Sequence, residues 1–263
     1  MCKRKFLIFM FLVMGLFALA WEIDQSQAVT QLNPAVDLSQ PNFAYSPPLR
    51  KFIDSLPGLT IPALGIDGAN NLGQTIPVAA PQVLAGFPND DYYEIALVEY
   101  YEQMHSNLPP VVGTWPSQTG GTKLRGYVQE NNGVMIGTPH YLGPLILATK
   151  GKPVRIKFTN RLPLTAAGGN LFLPVDTTIM GAGMGPLTAA GAPCDPSAPG
   201  AACASYTQNR ATIHLHGGIP PWISDGTAHQ WITPAGEITP YPKGASQQNV
   251  PDMPVPPGGS ATF

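Results

Sequence analysis

Ala211-Thr212-Ile213-His214-Leu215-His216-Gly217-Gly218-Ile219-Pro220-Pro221-Trp222-Ile223-Ser224-Asp225-Gly226 is the stretch on which the reading of this chain turns. His214 and His216, two of the five histidines, stand in a run that reads as a strand, with Thr212, Ile213 and Leu215 around them. Successive side chains of a strand point to opposite faces, so both imidazoles project from one face and Ile213 and Leu215 from the other. That arrangement sets two nitrogen ligands side by side. Gly217 and Gly218 follow directly and remove side chains where a cofactor or another segment must come close. A His-X-His alone also describes two polar residues on a half-exposed strand. The flanking Gly-Gly and the later Ser224-Asp225-Gly226 favour the ligand reading.

Composition bounds the rest. The 263 residues are 44% hydrophobic, enough for a substantial core, and 30 prolines with 28 glycines call for many turns and short extended segments. Charged residues make up 11%, with a net charge of -2 and no basic block after the first few residues, which argues against nucleic-acid binding by a positive surface. Residues 1–20 join Lys3, Arg4 and Lys5 to an apolar run ending in Ala18-Leu19-Ala20, the layout of a secretory signal cleaved after Ala20 or as late as Ala28. The competing reading is an uncleaved membrane anchor with Trp21 at the interface. Cleavage predicts an exported chain, periplasmic, cell-surface or secreted, without a stable membrane span. Loss of Cys2 with the signal leaves Cys194 and Cys203 in a Pro/Ala/Gly-rich segment, where an oxidising compartment favours a disulfide between them.

Residues 29–90 carry many prolines and no sustained period, which predicts an extended irregular arm, with a short helical turn possible over residues 49–56. From Asp91 the texture changes. Strands are expected over residues 92–101, 123–129, 141–149 and 153–160; in the last, Val154, Ile156 and Phe158 face one way and Arg155 and Lys157 the other. Residues 161–210 and 217–250 read as loops, and Gly258-Gly259-Ser260-Ala261-Thr262-Phe263 as a turn entering a strand. Short strands between turn clusters predict an antiparallel all-β sandwich spanning residues 91–263.

At His214-Leu215-His216-Gly217-Gly218 the chain resembles the first copper-binding motif of multicopper oxidases, especially the bacterial branch of the spore-coat laccase and bilirubin oxidase. The resemblance extends to Asp91-Tyr92-Tyr93-Glu94, to residues 104–110, and to Leu124-Arg125-Gly126-Tyr127. It continues through Leu142-Gly143-Pro144-Leu145-Ile146, Gly151, Val154 and Asn160-Arg161-Leu162-Pro163, so it covers most of residues 50–263. It implies a cupredoxin fold, a plastocyanin-like Greek-key sandwich, and identifies residues 91–263 as the first, incomplete domain of a three-domain oxidoreductase. Such enzymes couple one-electron oxidation of a reducing substrate to the reduction of dioxygen to water. Carried over by motif, His214 would bind type 2 copper and His216 one copper of the type 3 pair, a role neutral imidazole suits in both copper oxidation states. Asp225 matches a carboxylate that in the family assists proton delivery near the trinuclear copper cluster that these type 2 and type 3 coppers form. An Asx turn ending at Gly226 is the local alternative.

The other ligands that the family uses do not occur in this sequence. The chain therefore reads as truncated at its C-terminal end, inactive alone, and dependent on the remaining cupredoxin domains or a complementing chain. An unpaired sheet edge is expected there. A non-catalytic exported copper-binding or structural sandwich is the alternative. His105, His140 and His229 have no ligand partner at short spacing and read as structural. Met180 and Met184, among glycines, read as parts of a packed loop.

Overall fold

The computed structural model describes residues 49–263, so the expected signal over residues 1–20 and residues 29–48 of the expected arm lie outside the described residues. The chain divides into Met1–Ile53, of which only an exposed turn is described, and Asp54–Phe263, the unit considered below. Its strands are Leu59–Thr60 (β1), Ile76–Pro77 (β2), Gln82–Leu84 (β3), Phe87–Glu102 (β4), Val111–Val112 (β5), Thr119–Gly120 (β6) and Thr122–Asn131 (β7). Val134–Met135 (β8), Val154–Asn160 (β9), Met184–Thr188 (β10), Cys203–Ser205 (β11) and Ser260–Thr262 (β12) complete them. Helix among the described residues is confined to single 3-10 turns. The fold is all-β and cupredoxin-like.

The main sheet has the order β12-β9-β4-β7-β8, with β3 added to the start of β4. The antiparallel expectation fails at its centre, because β4 and β9 run parallel from Asp91↔Val154 to Leu97↔Asn160. After β4 the chain turns back through β7, hairpins to β8 at Asn132 and Gly133, both at positive φ, and crosses over residues 136–153. That long crossover is what a parallel neighbour requires. The expected strand over residues 141–149 lies within it and reduces to one bridge, Leu145 to Val78. The arm is less irregular than expected: β1 pairs with β2, and β3 joins the main sheet.

β4 is buried on both faces, as its near-continuous apolar and aromatic run requires. Tyr93 and Ile95 pack with Ile146, Val154 and Ile156, while Phe158, Ile232 and Ala261 gather Leu97, Ala211, Ile213 and Phe263. On the opposite face Ala96, Val98, Tyr100 and Val128 pack with Trp115, Leu124 and Met135. The alternation expected for β9 is thus realised, with its apolar side in the core that reaches the histidine segment.

Arg155 and Lys157, on the other side of β9, meet acids instead. Glu94 and Glu130 are register partners across β4 and β7, an unfavourable like-charge juxtaposition. Lys157 Nζ lies 2.9 Å from Glu94, Arg161 Nε 2.7 Å from Glu130, and Thr159 donates to Glu130 at 2.8 Å. Glu130 has no exposed surface, so its charge depends on these partners. At the sheet margin, the β12 edge is covered rather than bare. Ser260 N–H bonds to Pro257 O, Thr262 N–H to Asn249 Oδ1, and the Thr262 hydroxyl accepts from Val250 N–H. Cys194 and Cys203 form the expected disulfide beside the β10–β11 pair.

Replacing Arg161 with Met should lower the unfolding free energy by about 3 kcal/mol, because a fully buried carboxylate would lose its ion partner. Urea unfolding would measure this, and adding Glu130→Gln should restore part of the loss. Asp54 gives a pH test: the Ser106 hydroxyl and N–H, which donate to it, hold its carboxyl down from 3.8 to about 2. Its folded pKa lies below the unfolded one, so its contribution is present above about pH 4 and is lost as pH falls toward 2. Asp54→Asn should flatten the acid limb of the stability curve over that window.

Candidate metal centre

The histidine segment leaves the core at Ala211. Ala211 and Ile232 exchange both backbone hydrogen bonds, at 2.9 and 2.8 Å, and Ile213 packs against the Phe158 cluster. Beyond Ala211 no ladder continues, so the expected strand survives as an extended segment anchored at one end. The reason lies in its neighbour. Ile232 bridges both Ala211 and Lys243, whereas alongside His214 the facing chain is the turn at Asp225 and Gly226, which offers no strand to pair with.

That turn sets the geometry of His214. Gly226 has φ +71°, and a Cβ placed there would lie 1.8 Å from Ile213 O and 3.1 Å from His214 Cα, so only glycine allows the approach. Asp225 O consequently contacts His214 Nδ1, and Asp225 Oδ1 lies 3.3 Å from the same nitrogen. A carbonyl oxygen can only accept, so Nδ1 carries a hydrogen, and in the neutral ring that a metal requires the lone pair resides on Nε2. The His216 ring stands 6.0 Å from that of His214 at 81°, and both residues are exposed. Leu215 folds over Gly218, where a Cβ would meet its Cδ2 at 2.3 Å.

The loop behind the site is knotted by a residue that the sequence does not advertise. Gln230, 2% exposed, donates to Trp222 O and Ile223 O and accepts from Thr227 N–H. Because Thr227 N–H goes to Gln230, Asp225 does not form the Asx turn considered for it. It instead closes a 3-10 turn, its N–H bonding Trp222 O at 3.3 Å.

His214, His216 and Asp225 are therefore brought together, and the other histidines are not. His140 Nδ1 lies 2.8 Å from Glu102 Oε1. His105 accepts from Asn107 N–H and faces Asp54, and His229 is exposed in its loop. Among the described residues no group of three or more His, Cys, Asp or Glu could hold a metal ion. Met180 is almost fully exposed and Met184 lies on β10, so the packed methionine loop is not observed. The residues present fit part of a copper site. They offer two imidazoles, one with its outer nitrogen already held by a carbonyl, the usual way a metal-binding histidine is oriented.

The chain is 31% identical over 191 residues to a laccase of Bacillus stratosphericus, and 29% identical over 151 residues to a laccase of Bacillus subtilis (strain 168). The chain belongs to the laccase-like multicopper oxidases. The matches cover 73% and 57% of this chain but 25% and 21% of the two laccases, so the chain spans about a quarter of their length. No family model matches the chain.

Gly226→Ala should push the Asp225 turn away from the histidine segment and free His214 Nδ1. Nitrogen NMR of the His214 ring should then show tautomer exchange, with far-ultraviolet circular dichroism unchanged. An unaltered Nδ1 resonance would show that the turn does not fix the ring.

Proposed function

We propose that this chain supplies His214 and His216 to the copper centre of a multicopper oxidase, His214 toward type 2 copper and His216 toward one copper of a type 3 pair. Residues 91–263 would act as its first cupredoxin domain. The remaining ligands would come from further cupredoxin domains or a complementing chain. The observation that carries this reading is the Asp225 carbonyl on His214 Nδ1, which leaves Nε2 as the ligating atom. Copper, when bound, would supply one-electron redox chemistry between a reducing substrate and dioxygen.

The residues of this chain divide that work. Ala211 and Ile213 fix the segment to the core, and the Asp225 carbonyl sets the His214 tautomer. The Asp225 carboxyl, 41% exposed and 3.3 Å from His214 Nδ1, is placed to exchange protons with solvent beside the imidazole pair. Export is supported by the basic-apolar pattern of residues 1–20 and by the Cys194–Cys203 disulfide, which suits an oxidising compartment. No helix of the described residues is long and apolar enough to cross a membrane.

Copper titration followed by electron paramagnetic resonance tests the ligands. His214→Ala and His216→Ala should each weaken copper binding by about tenfold or more and remove one nitrogen coupling. Parent-like affinity in both would eliminate the pair. Asp225→Asn keeps its backbone carbonyl and should leave copper affinity unchanged, while slowing oxygen reduction in a complemented enzyme. The chain alone, loaded with copper, should not oxidise a phenolic dye.

A further inference from the structure

An open cavity of about 340 Å³ lies beside the base of the histidine segment, lined by Thr207, Gln208, Arg210, Thr212, Ala228 and Trp231 among others. Arg210 gives it an unusual character. Its guanidinium sits 4.7 Å from the Tyr206 ring centroid and 4.8 Å from that of Trp231, and it donates to Thr207 O at 2.7 Å and Gly181 O at 3.0 Å. These contacts fix the group and leave Nη1 without an acceptor among the described residues. No carboxylate pairs with it there, although Lys123, Arg125, Lys152, Arg155, Lys157 and Arg161 all have acidic partners.

A second observation points the same way. Thr207 also lines the cavity, and its Oγ1, buried just behind that wall, has no hydrogen-bond partner. Buried polar atoms ordinarily find partners, so an idle hydroxyl beside a fixed, unneutralised cation marks a place for an acceptor. Burial lowers the Arg210 pKa, which shows that its surroundings oppose the charge and would gain from a counter-ion. The remaining wall includes Leu171, Val175 and Ala182, so an occupant with an apolar body is accommodated as well. The volume suits a single small molecule.

We propose that this cavity binds a small organic carboxylate, its carboxylate on Arg210 and Thr207 and its apolar body against Leu171 and Val175. The inference is separate from the copper reading, because neither His214 nor His216 lines the cavity. A ligand here would touch both Ala211–Thr212 and Ala228–Trp231, the segments that flank the metal centre on either side.

Benzoate is a suitable probe, titrated into the full chain by calorimetry in the presence of a chelator, with amide chemical shifts followed in parallel. Saturable binding is expected, with shifts at residues 207–212 and 228–231. Arg210→Gln should weaken it by about tenfold or more, since a charge-assisted bond is lost. Thr207→Val removes no bond made within the chain, should keep the fold, and should weaken binding several-fold. His214→Ala should bind benzoate as the parent does, which separates this site from the metal centre. Benzyl alcohol should not compete. Competition by inorganic phosphate equal to that of benzoate would overturn the carboxylate assignment. Parent-like affinity in Thr207→Val, or shifts elsewhere in the chain, would overturn the site, whatever the folding of Arg210→Gln.

Discussion

The side chain of Asn160 joins the parts of this molecule that matter for its chemistry. It is 2% exposed at the end of β9, and its amide donates to Asn209 O at 2.7 Å and Ile232 O at 3.0 Å. Its own carbonyl accepts from Leu162 N–H, while its backbone N–H bonds to Gly259 O as the chain enters β12. One residue thus ties the central sheet, the edge strand and both flanks of the histidine segment. Buried carbonyls cannot be left to water, so these bonds specify where the flanks lie. The histidine segment inherits its position from that clamp through Ala211, Ile213 and Ile232.

A similar economy governs charge. With 11% charged residues, the chain has few ions, and those near the sheet are arranged in matched sets. Glu94 and Glu130 oppose each other across β4 and β7 only because Lys157, Arg161 and Thr159 arrive from β9 and the turn after it. Arg155 likewise spans Asp90 and Asp252, linking the start of β4 to the approach to β12. Against that background the unmatched Arg210 stands out. It is held by π-faces and backbone carbonyls, contacts that orient a guanidinium without neutralising it.

Glycine fixes the fine geometry of the candidate site. At Gly226 the requirement is both a positive φ and a backbone approach that a methyl group would block. The consequence is chemical, because the approach delivers the Asp225 carbonyl to His214 and selects the imidazole tautomer. One imidazole of the histidine pair is oriented by the carbonyl of Asp225, nine residues after His216.

The sequence by itself determined the all-β class, the alternation of β9, the disulfide and the histidine pair, because each depends on local pattern or on residue chemistry. Val154, Ile156 and Phe158 must share a face, and two cysteines in a small segment readily meet. Tertiary structure alone decided the parallel pairing of β4 with β9, the reduction of residues 141–149 to one bridge, and the covering of the β12 edge by Asn249. It also decided the roles of Asn160, Gln230 and Arg210. The physical reason is common to all of them: hydrogen-bond partners and counter-ions for these groups come from distant segments, and no local period records which segments will meet.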